Sequence, residues 1–83
     1  MKLMYFAWVR ERIGTPDEDI DPPASVSTVG ELIAWLKTRG PQFELAFARD
    51  DVIRVAMDRV HVGRDTPIAK AREIAFFPPM TGG

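Results

Sequence analysis

The residues of this chain best equipped for chemistry are its last two, Gly82 and Gly83. The only group at the tip is the α-carboxylate of Gly83, ionised at neutral pH with a reference pKa of about 3.3–3.7. Glycine has no Cβ, so a Gly-Gly end can thread a channel too narrow for any other residue. Ordinary fraying of a chain end is the competing reading. The approach to the glycines favours a working tail. Ile74, Phe76 and their neighbours form an apolar, aromatic run that predicts a buried strand. Pro78 and Pro79 have no N–H and cannot continue a central ladder, and they hold the chain extended. The segment Pro78, Pro79, Met80, Thr81, Gly82, Gly83 is therefore expected to leave the sheet and reach about 20 Å, at about 3.3 Å per residue, into a pocket on another protein.

The other reactive side chains make weak constellations. His61 is the one histidine and sits between Val60 and Val62, where it reads as a strand or surface residue rather than a general base. Ser25 and Ser27 have no base beside them, and with Thr28 they suit a helix start. The acidic stretch from Asp17 to Asp21 lacks calcium-loop spacing and reads as a solvated loop or an edge strand. Without cysteine there is no disulfide, zinc thiolate or cysteine-ligated cluster, and no metal site is expected. No Gly-rich phosphate loop is present. Trp8 and Trp35 read as core or interface aromatics.

The elements that must position the tail follow from patterning. Leu3 to Trp8 predicts a buried strand with both faces apolar. Val9 to Ile13 predicts a short helical turn that Gly14 ends. Thr28 and Glu31 have capping-box spacing, and Val29, Leu32, Ile33 and Leu36 follow at i, i+3, i+4 and i+7. Gly40-Pro41 ends that helix and starts a shorter one, with Phe43, Ala46 and Phe47 toward the core. Asp50-Asp51 reads as a turn. Ile53, Val55 and Met57 alternate with Arg54 and Ala56 as a half-buried strand, which Val60 and Val62 continue or pair with. Gly63 to Asp65 is a turn, Thr66 to Ile68 a connection, and the last strand runs from about Arg72 to Phe77. The expected fold class is α+β: a β-grasp, ubiquitin-like fold, with helices on one face of a mixed four- to five-strand sheet and the first and last strands adjacent at its centre.

Eighty-three residues are expected to make one domain, residues 1–83. Eleven Lys and Arg against twelve Asp and Glu give a formal net charge of −1, so no basic field invites nucleic acid. The apolar run near Met1 is too short to span a bilayer and lacks a cleavage site. No membrane partner is expected, and the cytoplasm is the expected location.

The start Tyr5-Phe6-Ala7-Trp8-Val9-Arg10-Glu11 and the end Glu73-Ile74-Ala75-Phe76-Phe77-Pro78-Pro79-Met80-Thr81-Gly82-Gly83 resemble the small, sulfur-carrying subunit of molybdopterin synthase, the MoaD family. Thr28-Val29-Gly30-Glu31-Leu32 and Asp65-Thr66-Pro67-Ile68 are also similar, so the resemblance covers essentially the whole chain. It implies a carrier that is not an enzyme on its own and binds no cofactor. An E1-like enzyme would use ATP to form an acyl-adenylate on Gly83, and a persulfide donor would convert it to a thiocarboxylate. The tail would then enter the large synthase subunit and give its sulfur to a cyclic pterin precursor, within a heterotetramer. The resemblance places Phe6, Arg10, His61 and Phe77 on the partner-binding surface. For Phe6 and Phe77 the plain alternative is core, and for Arg10 it is a solvated charge. Asp58, the Ala69-Lys70-Ala71-Arg72 turn and His61 depart from the family pattern. Three other uses of such a tail compete: a sulfur carrier for thiazole or tRNA thiolation, a lysine-linked modifier, and a binding module with an inert end.

Overall fold

The structure, a computed structural model, describes residues 1–79. Alternating residues Leu3 and Tyr5 bury one side of β1 (Lys2–Tyr5). Ile74 and Phe76 do the same for β5 (Glu73–Phe77). The two strands pair in parallel, Lys2 opposite Glu73 through Tyr5 opposite Phe76. β2 (Asp17–Asp19) lies antiparallel outside β1, and β3 (Arg54–Met57) lies antiparallel outside β5. The two-residue β4 (Val60–His61) closes the far edge beside β3. The order is β2-β1-β5-β3-β4, a mixed five-strand sheet with the first and last strands adjacent. The acidic stretch thus forms an edge strand, where charge blunts edge-to-edge pairing.

Three helices cover the inner face. Val9 and Ile13 of α1 (Ala7–Ile13), Val29, Leu32, Ile33 and Leu36 of α2 (Val29–Lys37), and Phe43 and Ala46 of α3 (Pro41–Ala46) join the inward strand residues in one core. The Phe47 ring meets the Phe76 ring edge-on at 5.2 Å, and Tyr5 stacks on Phe76 at 6.1 Å. This is the β-grasp arrangement.

One expected element is corrected. The first strand does not run to Trp8; it stops at Tyr5. Phe6 caps α1, and Ala7 takes φ +52°, a left-handed conformation that turns the chain out of the sheet. The apolar run is long because it serves two elements. Its second half supplies Val9, which pairs with Ile13 at i, i+4 on the buried side of a helix. Trp8 is half-buried on that helix, with the Arg12 guanidinium 4.2 Å over its ring. Gly14 ends α1 at φ +95°, donating its N–H to the Arg10 carbonyl at 2.8 Å.

The capping box of α2 is formed. Thr28 Oγ1 accepts the Glu31 N–H at 3.2 Å, and Glu31 Oε1 accepts the Thr28 N–H at 3.2 Å. The next two donors of the helix also find partners. Val29 and Gly30 donate to the carbonyls of Thr66 and Arg64, at 3.0 and 2.8 Å. That close approach is why residue 30 carries no side chain: a Cβ there would stand 3.2 Å from the Arg64 carbonyl oxygen.

Candidate functional site

β5 delivers Pro78 and Pro79 from the centre of the sheet. Both prolines are half-buried. Met80, Thr81, Gly82 and Gly83, the rest of the expected tail, lie outside the described residues.

Strand alternation sorts the surface around the exit. Phe76 points into the core and is fully buried, so Phe77 points to the outer face and is half-buried. Directly opposite residues share a face. Arg54 therefore flanks Phe77, and Ala56 lies between Ala75 and His61. The exposed His61 imidazole meets the Phe77 ring edge-on, centroids 5.5 Å apart at 79°. Phe6 follows Tyr5 in the parallel register and donates its N–H to the Phe76 carbonyl at 3.0 Å, which sets it level with Phe77. Phe6 is 42 % exposed, too open for a core residue. Phe6, Phe77 and His61 thus gather at the tail end of the outer face. Arg10 stands apart, exposed on α1 one turn beyond Phe6.

Sequence reasoning missed Arg64. One of its guanidinium nitrogens donates to two backbone carbonyls, those of Asp50 and Ile53, the latter at 2.7 Å. It ties the 3₁₀ turn at Asp50–Val52 to the loop beyond β4 and helps wall an open groove of about 620 Å³. Arg54, His61 and Pro79 line the same groove. Only the position of Arg64 in a turn was available beforehand, and that gave no hint of these acceptors. A second missed cluster is structural. The buried Tyr5 hydroxyl donates to Glu18 Oε2 at 2.7 Å, and Glu18 Oε1 pairs with Arg39 at 3.0 Å. Burial, then the bond to Glu18 and its charge, push the Tyr5 phenol far above its ordinary value, against a smaller pull from Arg39.

Among the described residues no group of three or more His, Asp or Glu side chains could hold a metal ion. No helix among them is long and apolar enough to cross a membrane. The surface offers apolar contact, hydrogen bonding and charge beside an outgoing chain.

The mixed five-strand sheet, with its first and last strands adjacent at the centre and helices on one face, defines a ubiquitin-like β-grasp protein. The chain belongs to the ThiS family, which matches residues 3–83. It is 34 % identical over 83 residues to the molybdopterin synthase sulfur carrier subunit of Escherichia coli, covering 100 % of this chain and 99 % of that one. The subunit of the same name from Dictyostelium discoideum is 36 % identical over 84 residues, covering 99 % and 94 %. That from Haemophilus influenzae is 31 % identical over 84 residues, covering 100 % and 99 %. Among solved structures, SAMP1 from Haloferax volcanii superposes with a TM-score of 0.76 at 28 % identity, covering 100 % of this chain and 98 % of that one. A putative molybdopterin converting factor subunit 1 from Pyrococcus furiosus gives 0.74 at 25 % identity, covering 95 % of both chains.

Proposed function

We propose that this chain is the sulfur carrier subunit of a molybdopterin synthase and that Gly83 carries the sulfur. The observation that supports this most strongly is the full-length likeness to three sulfur carrier subunits of that enzyme, at 31–36 % identity. The family match runs to residue 83 and so includes both glycines.

The chemistry suits the residues. A carboxylate resists nucleophiles, so Gly83 is first adenylated by an E1-like enzyme with ATP, which installs a leaving group. Attack by the outer sulfur of a persulfide donor expels AMP, and a second thiol then reduces the resulting acyl-disulfide, taking the donor's sulfur into a disulfide and leaving the thiocarboxylate on Gly83. A chain without cysteine can carry sulfur in this way. The tail, led by Pro78 and Pro79, then enters the large subunit, which supplies the reacting side chains. Phe6, His61 and Phe77 form the docking surface at the tail exit, and Arg10 contacts the activating enzyme from α1.

A reconstituted synthase tests the proposal. Deleting Gly82 and Gly83 abolishes sulfur transfer to the pterin precursor and leaves the melting temperature of the domain unchanged. Full transfer by the truncated chain contradicts it. A lysine-linked adduct of Gly83 in place of a thiocarboxylate marks a protein modifier instead.

A further inference from the structure

We propose that the groove beside the tail exit is a cationic docking site for an acidic surface of the protein that takes up the tail. The inference rests on the tail insertion proposed above and names the chemistry of the partner at its rim.

Two guanidinium groups line the groove with Pro79, those of Arg54 and Arg64. Arg54 is exposed on the outer face of β3, and among the described residues no carboxylate forms an ion pair with it. Arg64 is held by the carbonyls of Asp50 and Ile53, which fix the side chain, and among the described residues no carboxylate forms an ion pair with it, although its charge is felt at Asp51. The acid in the groove wall, Asp51, is already engaged. Arg49 binds both its oxygens, at 3.2 and 3.3 Å, and holds its carboxyl below the usual range. Asp65 is exposed and does not itself line the groove, although its Oδ1 lies close to Gly63, which does, so the lining sets two guanidinium groups against the one carboxylate of Asp51. The groove is therefore electropositive in a chain of formal net charge −1.

Geometry makes this charge matter. Residues 80–83 follow Pro79 and span about 13 Å when extended. A protein that encloses Gly83 comes that close to Pro79, which lines the groove, and one that takes in the tail as far as Pro79 meets the groove itself. Covering two guanidinium groups without counter-charge is strongly unfavourable. The planar guanidinium fork matches a carboxylate with two parallel hydrogen bonds. The partner therefore presents Asp or Glu side chains beside the mouth of its tail channel.

The test measures association of the full chain with the large synthase subunit at about 50 mM and about 500 mM salt, where screening lengths differ several-fold. Arg54→Glu slows association about tenfold at low salt, the gap closes at high salt, and Arg54→Lys keeps the wild-type rate because steering follows charge. Arg54→Gln falls between them and serves as the readout if the glutamate variant melts early. Wild-type rates for Arg54→Glu and Arg54→Gln at low salt overturn the inference. So does a slowing that is the same at both salt concentrations. A chain lacking Gly82 and Gly83 separates the two failures. If truncation weakens binding and the Arg54 changes do not, the groove inference alone fails. If truncation leaves affinity intact, the tail insertion beneath it fails.

Discussion

The Asp58 carboxylate accepts hydrogen bonds from the backbone N–H groups of Arg72 and Glu73, with Oδ1 at 3.1 and 3.0 Å. Asp58 opens the two-residue β3–β4 hairpin, with φ +49° at Asp58 and +72° at Arg59. Its own N–H donates to the Glu73 carbonyl at 2.9 Å. The hairpin thus fixes where β5 begins, five residues before the tail prolines. Asn in place of Asp58 keeps the acceptor and tolerates the left-handed backbone, so Asp58→Asn is nearly neutral. Asp58→Ala loses both and destabilises by about 1–3 kcal/mol. Urea unfolding of the two variants checks this, and equal midpoints would show that the clamp is idle.

Gly30 is expected to resist a change that normally helps. Alanine is better than glycine in a helix by about 0.8–1 kcal/mol. At this site the new Cβ would stand 3.2 Å from the Arg64 carbonyl oxygen, which already accepts the Gly30 N–H at 2.8 Å. Arg64 cannot retreat easily, because its guanidinium is anchored on Asp50 and Ile53. Gly30→Ala therefore destabilises, by about 1 kcal/mol, as overpacking against a fixed group does. A rise in melting temperature would show that the 64–66 loop yields.

The start of α2 gives the domain an acid-sensitive contribution. The Glu31 carboxyl sits below the usual carboxylate range because the Ser27 hydroxyl, then the Ser27 and Thr28 N–H groups, donate to its charged form. Folding thus lowers its proton affinity relative to the unfolded chain, whose reference value is about 4.3. The stabilisation is fully present above that pH and is lost as pH falls through the lower folded value. The stability gap between wild type and Glu31→Gln is therefore wider at pH 7 than at pH 3. A gap independent of pH, measured by urea midpoints, would remove Glu31 from the acid response.

Phe76 and Phe77 are neighbours with opposite duties. Phe76 is fully buried between Tyr5 and Phe47, and Phe76→Ala costs about 3–5 kcal/mol as a cavity opens. That is a large share of the 5–15 kcal/mol typical of a domain. Phe77 lies half-buried on the outer face against His61. Phe77→Ala leaves a cooperative fold with a smaller loss and weakens binding to the large subunit about tenfold or more, as a central aromatic contact does. Unchanged binding by Phe77→Ala would move the docking surface elsewhere.

Much of this architecture follows from residues taken locally. The Thr28–Glu31 box, the Val29-Leu32-Ile33-Leu36 stripe, Gly14 and the Pro78-Pro79 exit each carry their instruction in a few neighbouring side chains. The boundary at Phe6 did not, because Met4, Phe6 and Trp8 alternate as a strand would while the chain bends at Ala7. The bend is fixed by tertiary contacts, including the Phe6 N–H bond to the Phe76 carbonyl. Asp58, which departs from the family pattern, has an internal role in capping the start of β5. The Ala69–Arg72 segment needs no glycine, because Ile68 to Ala71 forms an ordinary turn closed by the Ala71 N–H on the Ile68 carbonyl at 3.0 Å, without positive φ. At the candidate site, the pairing of His61 with Phe77 depends on strand register, and the anchoring of Arg64 on carbonyls 11 and 14 residues away depends on the fold. Neither is a pattern of adjacent residues.

The central claim is that Gly83 carries sulfur. Its most direct test is the intact mass of the chain after incubation with an E1-like activating enzyme, ATP and a persulfide donor, with fragmentation to locate any change. The account predicts replacement of one oxygen by sulfur, about 16 Da heavier, confined to the C-terminal glycine as a thiocarboxylate terminus requires. An unchanged mass with an activating enzyme proven competent on another carrier would contradict it.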